Sequence, residues 1–296
     1  MITAHPGLPE FDYIKFDSLE KSSEFLIEHK GESRMLMGGT DVFVRMRDGV
    51  WNEKFLVDVK DLVGRNKISF ANNKGITISA ATTMNQVASS ELIKKHYPLL
   101  SEAANSVASY QLRNRATLVG NICNSSPAGD TIGACLVFDA KLNIFGPNGK
   151  RTEPIYGFFK GPGKNTLECG EIVTSIELPV PPNNAYGRYI KLGRNKTGDL
   201  AIVGVTVLGY PNNNNSSNFS FRIAIASVAA TPVVPKEAED ILASNPISEE
   251  IISSAAAAAM NASSPIDDTR GSARYRKMMV RNLTAKGIEE VYKKLL

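Results

Sequence analysis

The sequence contains no apolar run approaching membrane-spanning length, and it opens MITAHPGLPEFDY without the basic-then-apolar order of a secretory signal. These two absences predict a cytoplasmic protein with no membrane partner. Net charge is only +4 over 296 residues. Outside one basic amphipathic stretch near the C-terminus, lysine and arginine are scattered, which argues against nucleic-acid binding. The three cysteines, Cys123, Cys135 and Cys169, form no C-x-x-C pair, so neither an iron–sulfur cluster nor a structural zinc site is expected. His5, His29 and His96 are equally dispersed. His29 and His96 fall at polar helix ends, where a solvated side chain is expected, and no metal centre is predicted. G-x-G-x-x-G is missing, which removes the Rossmann reading. Gly161-Pro162-Gly163-Lys164 imitates the end of a Walker A loop, but Phe158 and Asn165 occupy the positions that need glycine and Ser/Thr. A surface loop is expected there.

What is present is a globular composition, 43% hydrophobic and 22% charged, with room for one large domain or two ordinary ones. The most informative features are two glycine turns, each entered from an apolar run. The first is Met37-Gly38-Gly39-Thr40-Asp41 after Arg34-Met35-Leu36; the second is Thr117-Leu118-Val119-Gly120-Asn121, leading into Ile122-Cys123-Asn124-Ser125-Ser126-Pro127. Glycine permits positive φ and lets a ligand approach the backbone. Consecutive N–H groups in such turns converge on anions, here beside the hydroxyls of Thr40 and Thr117. One such turn is commonplace. Two, far apart in sequence, suit a long ligand with a diphosphate at its middle, and a dinucleotide is the natural candidate.

Along the chain, a strand near Tyr13 to Phe16 leads to a helix reaching His29, with Asp17 and Glu20 expected to cap it. Strands at Arg34 to Met37 and Phe55 to Val59 complete a β-α-β opening, and residues 40 to 47 are expected to hold one or two helical turns. A hairpin turning at Asn72-Asn73-Lys74-Gly75 precedes a capping box, Thr83 with Gln86, for a helix ending near Lys95. Another helix is expected from Pro98 to about Val107. Ser109 to Gly133 reads as a long irregular stretch, and a loop of that size in a compact domain is usually functional. Strands then follow around 142–145, 151–155 and 172–178. Pro179-Val180-Pro181-Pro182-Asn183-Asn184 reads as a stiff linker. Three strands, with a polar tip at residues 212–217, and three helices after the linker suggest a small α+β unit.

The order and surroundings of these motifs resemble the FAD-binding medium subunit of the molybdenum hydroxylases, the family of xanthine dehydrogenase, carbon monoxide dehydrogenase and bacterial nicotinate dehydrogenase. Met35 to Val42 is similar to the family's first flavin loop. Gln111-Leu112-Arg113-Asn114 with Thr117 to Asn121 is similar to its second, and Ser126-Pro127 with Asp130 continues the match. Glu171-Ile172-Val173 before Ile176-Glu177-Leu178-Pro179, Tyr189-Ile190-Lys191, and Asp268 to Arg276 extend it over nearly the whole chain. One departure is Val119, in place of the family's first glycine in the second loop; a β-branched residue resists positive φ, so this position is extended or the loop meets its cofactor differently.

The resemblance implies an α+β chain with a two-subdomain FAD-binding fold of the PCMH (vanillyl-alcohol-oxidase-like) type over residues 1–178. A linker over 179–185 and a small α+β domain over 186–296 follow. It implies non-covalent FAD held by Leu36, Met37, Gly38, Gly39, Thr40, Asp41 and Val42 and by Thr117, Leu118, Val119, Gly120 and Asn121. Asp130 and Lys191 are implied as polar contacts, Val173 as an apolar one, and Ser109 as a residue near the isoalloxazine. The plain structural alternatives are a helix cap for Asp130, a solvated strand residue for Lys191 and core packing for Val173. No catalytic acid or base is implied. The partners implied are a small subunit with [2Fe-2S] clusters and a large molybdopterin subunit that hydroxylates an N-heterocycle or aldehyde, with NAD(P)+ or another compound as acceptor. A self-contained flavin oxidoreductase on the same fold and a non-catalytic nucleotide-binding module are the alternatives. Cys123 is the one residue near the loops suited to a covalent flavin bond in the former.

Overall fold

A computed structural model describes residues 7–195 and 198–296; His5 lies outside them. The opening segment holds β1 (Asp12–Lys15), α1 (Leu19–Glu28), β2 (Ser33–Leu36), α2 (Val42–Arg47) and β3 (Phe55–Asp58). Its strands form a parallel sheet ordered β1-β3-β2. Central β3 is covered on both faces, with Leu56 and Val57 fully buried. The cap of α1 is Ser18, whose Oγ accepts from the Lys21 N–H at 3.2 Å. Asp17, expected as the cap with Glu20, is instead exposed and paired with Lys21 at 2.8 Å.

The second segment runs from β4 (Ile68–Ala71) and β5 (Gly75–Ser79) through six short helices. These are α3 (Met84–Ser89), α4 (Glu91–His96), α5 (Pro98–Asn105), α6 (Tyr110–Arg113), α7 (Leu118–Cys123) and α8 (Ile132–Val137). Strands β6 (Lys141–Gly146), β7 (Gly149–Pro154), β8 (Phe159–Gly161), β9 (Lys164–Asn165) and β10 (Ile172–Leu178) follow. The main sheet is antiparallel, ordered β4-β5-β10-β6-β7. The Thr83–Gln86 capping box is formed, but the helix it starts stops early. Ser90 is extended (φ −62°, ψ 123°) and its hydroxyl caps α4 instead, a local hydrogen bond that competes with helix continuation. The stretch from Ser109 to Gly133 is not irregular: it carries α6, α7 and the start of α8, with Ser109 and Thr117 as N-caps. Helices of four to six residues are too short to print a 3.6-residue periodicity. Gly161 to Lys164 is the tight turn between β8 and β9. The two histidines are half-buried against aromatic rings: His29 lies 4.1 Å from Phe25 and His96 stacks on Phe70 at 4.0 Å, centroid to centroid.

Residues 179–185 carry no strand or helix. Beyond them β11 (Tyr186–Leu192), β12 (Val203–Pro211) and β13 (Phe219–Ala226) form an antiparallel sheet, backed by α9 (Lys236–Ser244), α10 (Glu249–Asn261) and α11 (Ala273–Leu295). The middle strand β12 is buried on both faces. Val203, Val205 and Val207 join the core made with α9, α10 and α11, while Leu208, Tyr189 of β11 and Ala224 of β13 join the core of the preceding segment. Strand alternation thus serves two covers at once. A methyl group on Gly133 of α8 would collide with the Thr206 hydroxyl, so helix and sheet meet at backbone distance.

Arg276 is buried and ties this unit together: its Nη1 donates to Ser227 O at 2.8 Å and Ile202 O at 3.2 Å, and its Nη2 to Asp268 at 2.6 Å. Burial on its own would raise the Asp268 carboxyl; the Arg270 N–H and the Arg276 guanidinium outweigh it and hold the group at about 2. No helix of the described residues is long and apolar enough to cross a membrane.

Candidate functional site

Strand β2 delivers the first turn to the mouth of a cleft of ≈ 740 Å³, within the range of ordinary cofactor pockets. Met37, Gly38, Gly39, Thr40, Asp41 and Val42 all form part of its wall. Leu36 does not; it points into the small core with Met46 and Leu56. Gly39 takes φ +76°, as a glycine-specific turn requires. Among the described residues, none accepts a hydrogen bond from the N–H groups of Gly38, Gly39, Thr40 or Asp41. Four successive N–H groups without a protein acceptor, on residues that all line one cleft, suit an anion cradle. Gly38 has a different role. A Cβ there would collide with the carbonyl oxygen of Arg115, so its hydrogen lets the first turn rest on the backbone leading to the second.

The second turn is built otherwise. Thr117 is the N-cap of α7, and its Oγ1 accepts from the Gly120 N–H at 3.0 Å. Thr117 also bridges to Thr83, and the Leu118 N–H reaches Thr82 O at 3.3 Å, which fixes the turn against the start of α3. Thr117, Val119, Gly120 and Asn121 line the cleft; Leu118 is fully buried behind it. The expected positive-φ cradle is absent here, since Val119 and Gly120 lie in the first turn of α7 with negative φ. Valine is therefore accommodated without strain. Gly120 is required for space: a Cβ would sit 2.7 Å from the Thr117 hydroxyl oxygen. The Asn121 carboxamide oxygen accepts from Thr131 Oγ1 at 2.8 Å.

Asp130 is on the wall, 5% exposed. Its two oxygens are held separately, Oδ1 by the Tyr189 hydroxyl at 2.6 Å and Oδ2 by Lys191 Nζ at 2.9 Å. Lys191 is not itself part of the wall; its ammonium also donates to Ser106 O at 3.1 Å. Burial pushes the Asp130 carboxyl up, while the Lys191 charge and the two hydrogen bonds pull against it. The Tyr189 hydroxyl is pushed well up by burial and by the neighbouring carboxylate. Val173 also lines the cleft, on β10, where the strand register shifts between Val173 and Ser175 and consecutive Ile172 and Val173 are both buried. Ser109 is outside the wall, its hydroxyl accepting from the Leu112 N–H at 3.3 Å; Val107, Ala108 and Leu112 are the residues of that segment that face the cleft.

Sequence reasoning missed several wall residues. Arg34 stacks its guanidinium 3.5 Å from the ring centroid of Trp51, and its Nε pairs with Glu53 at 2.8 Å; all three line the cleft. Arg34 was visible only as part of a strand, and nothing in the spacing of Trp51 or Glu53 marks them. Cys123 and Cys169 are also on the wall. Burial pushes the Cys123 thiol up to about 12 even though the residue is partly open to the cleft, which makes it a poor nucleophile at neutral pH. Among the described residues there is no group of three His, Cys, Asp or Glu side chains able to hold a metal ion. The donor set fits a flavin dinucleotide: unpaired main-chain N–H groups for phosphate, a buried carboxylate as acceptor, and apolar walls from Met35, Val119 and Val173 for flat rings.

Two family models match the chain. One, described as the FAD binding domain in molybdopterin dehydrogenase, covers residues 9–181, and the other, the CO dehydrogenase flavoprotein C-terminal domain, covers residues 188–291. Over 266 residues the chain is 30% identical to the xanthine dehydrogenase FAD-binding subunit of Escherichia coli O157:H7, 90% of each chain being covered. It is 29% identical over 284 residues to the carbon monoxide dehydrogenase medium chain of Hydrogenophaga pseudoflava, covering 96% of this chain and 98% of that one. A solved structure of carbon monoxide dehydrogenase from the same organism superposes with a TM-score of 0.91 at 29% identity, over 97% of this chain and 98% of the other.

Proposed function

This chain belongs to the family of FAD-binding medium subunits of the molybdenum hydroxylases, and on that premise we propose that it is the electron-transfer subunit of such a complex in the cytoplasm, with FAD non-covalently seated in the cleft. FAD when bound exchanges electrons singly with clusters and as a hydride with a nicotinamide, so the proposal places it between partner [2Fe-2S] clusters and NAD(P)+ or another acceptor. The observation that carries the reading is the row of unpaired N–H groups from Gly38 to Asp41, set beside the capped start of α7 in one cleft.

The chain's own residues then bind and orient. The N–H groups of residues 38–41 neutralise a diphosphate, Val119 and Val173 exclude water from flat rings, and Asp130, held by Lys191, supplies a buried acceptor. No side chain is needed as a general acid or base. Three cysteines are fewer than the four thiolates of one [2Fe-2S] cluster, so the clusters belong to a small partner subunit and the molybdopterin to a large one, which hydroxylates an N-heterocycle or aldehyde. Residues 1–178 form the FAD unit in this scheme, 179–185 the linker, and 186–296 a docking and bracing domain.

Purified chain is expected to be yellow, to release its flavin into the supernatant on acid precipitation, and to be reduced by dithionite or NAD(P)H but not by nicotinate, a purine or an aldehyde. Substrate-driven bleaching is expected only after both partner subunits are added. Rapid bleaching of the isolated chain by such a substrate overturns the electron-transfer reading in favour of a self-contained flavoenzyme; flavin remaining with the pellet overturns the non-covalent one.

A further inference from the structure

Tyr189 is the least expected member of the site. It starts from β11, across the junction from the FAD unit, and its hydroxyl is the hydrogen-bond donor to Asp130 Oδ1. Its position depends on a glycine in the middle of the neighbouring strand. Gly204 of β12 is paired with Lys191, and a Cβ there would lie 2.7 Å from the Tyr189 hydroxyl oxygen and 3.2 Å from its Cε2. Glycine inside a strand costs stability and commonly marks a close approach. Here what approaches is the tip of the side chain that donates to Asp130 Oδ1.

We infer that Tyr189 is a positioning residue for the flavin site, holding Asp130 as an oriented acceptor on the cleft wall, and that position 204 is glycine to seat the tyrosine hydroxyl. The inference rests on reading the cleft as the FAD site. Asp130 is almost fully buried, which favours its neutral form. The charged and titratable groups that meet it are Lys191 and Tyr189, both from β11; Glu102 of α5 reaches the Tyr189 main-chain N–H instead. Both donors favour the carboxylate over its neutral form and orient it to accept from the hydroxyl or ring N–H groups that a flavin offers. Without the tyrosine hydroxyl, Oδ1 loses its donor, the neutral form gains, and the carboxyl takes up a proton at a higher pH than before.

The test is FAD affinity of the full chain as a function of pH, read by flavin fluorescence, with thermal stability measured alongside. Wild type is expected to bind with little change between about pH 6 and pH 8.5. Tyr189→Phe is expected to bind normally at the alkaline end and to lose affinity by about tenfold toward pH 6, the size of one charge-assisted hydrogen bond. Gly204→Ala keeps the tyrosine but displaces its hydroxyl, and is expected to acquire the same pH dependence. The double variant is expected to show no more than Tyr189→Phe alone, because both changes break one bond. Asp130→Asn is expected to be weak at every pH.

A purely structural role would lower thermal stability in both variants and leave the pH profiles flat, and that result overturns the inference. Tyr189→Phe and Gly204→Ala effects that simply add in the double variant overturn the coupling between the two positions. If Tyr189→Phe does not fold, Gly204→Ala carries the test alone. A wild-type chain that binds no FAD at any pH overturns the functional reading and the inference together, and is thereby distinguished from a flat profile in a chain that does bind.

Discussion

At the first turn Gly39 holds φ +76° and four successive N–H groups have no acceptor among the described residues, whereas at the second Gly120 lies in a helix and gives its N–H to the Thr117 hydroxyl. The two segments look alike in sequence, an apolar run followed by glycine, hydroxyl and amide residues. Their backbones solve different problems. The first keeps donors free for a ligand and uses glycine for conformation. The second ties its Leu118, Gly120 and Asn121 N–H groups to Thr82 and Thr117 and uses glycine for room, so what it contributes is a rigid wall with Val119 and Asn121 on it. Gly38 joins the two, because only a hydrogen fits between the first turn and the Arg115 carbonyl.

The severest way to break this comparison is to push the turns apart. Gly38→Val is expected to weaken FAD binding at least tenfold, about 1.4 kcal/mol or more, while circular dichroism shows the fold retained. Wild-type affinity in a flavin titration would show that contact between the turns is irrelevant to the site. A middle-sized effect is expected from Gly120→Ala, which crowds the Thr117 cap and costs about 1 kcal/mol of stability, the usual worth of such a cap. Thr117→Ala is expected to cost a similar amount, and the pair together hardly more than either, since one hydrogen bond is lost in all three. Additive melting shifts would contradict the reading of Gly120 as making space for that hydroxyl. The smallest effect concerns the end of α7. With its thiol at about 12, Cys123 is expected to stay unlabelled by iodoacetamide at neutral pH, to react only as the pH climbs toward that value, and to leave flavin content unchanged. Mass spectrometry of peptides after timed labelling reads this directly, and prompt modification at neutral pH would reopen a covalent role.

Much of the fold was legible. The β-α-β opening, the Asn72–Gly75 hairpin, the Thr83–Gln86 box and the strands-then-helices order after the proline stretch each rest on local patterns that short windows carry. The region between Ser109 and Gly133 was not legible as helix, because its helices are held by caps and tertiary contacts rather than by an amphipathic stripe. Ser18 and Ser90 show the same limit: which of several polar residues becomes a cap is decided by a single hydroxyl's geometry. Family resemblance located the wall carboxylate, but not that Asp130 and Lys191 hold each other across 61 positions of sequence, nor that Tyr189 joins them. Such pairings are products of the packed sheet junction and leave no periodic trace.

The main sheet has a further consequence for how the molecule is made. Strand β5 has β4 on one edge and β10 on the other, and β10 is also the partner of β6. A ribosome must therefore finish the whole stretch from Ser79 to Ile172 before the central pairing of the sheet can form, and until then β5 and β6 each offer an unpaired edge. Closing so long a loop is slow, and exposed edges of this kind invite aggregation. Because Ile172 and Val173 of the late strand are also wall residues, the cleft is completed in the same step as the sheet. The cleft can therefore receive its cofactor only once the central pairing of the sheet is made, and a chain cut short before Ile172 is expected to bind no flavin.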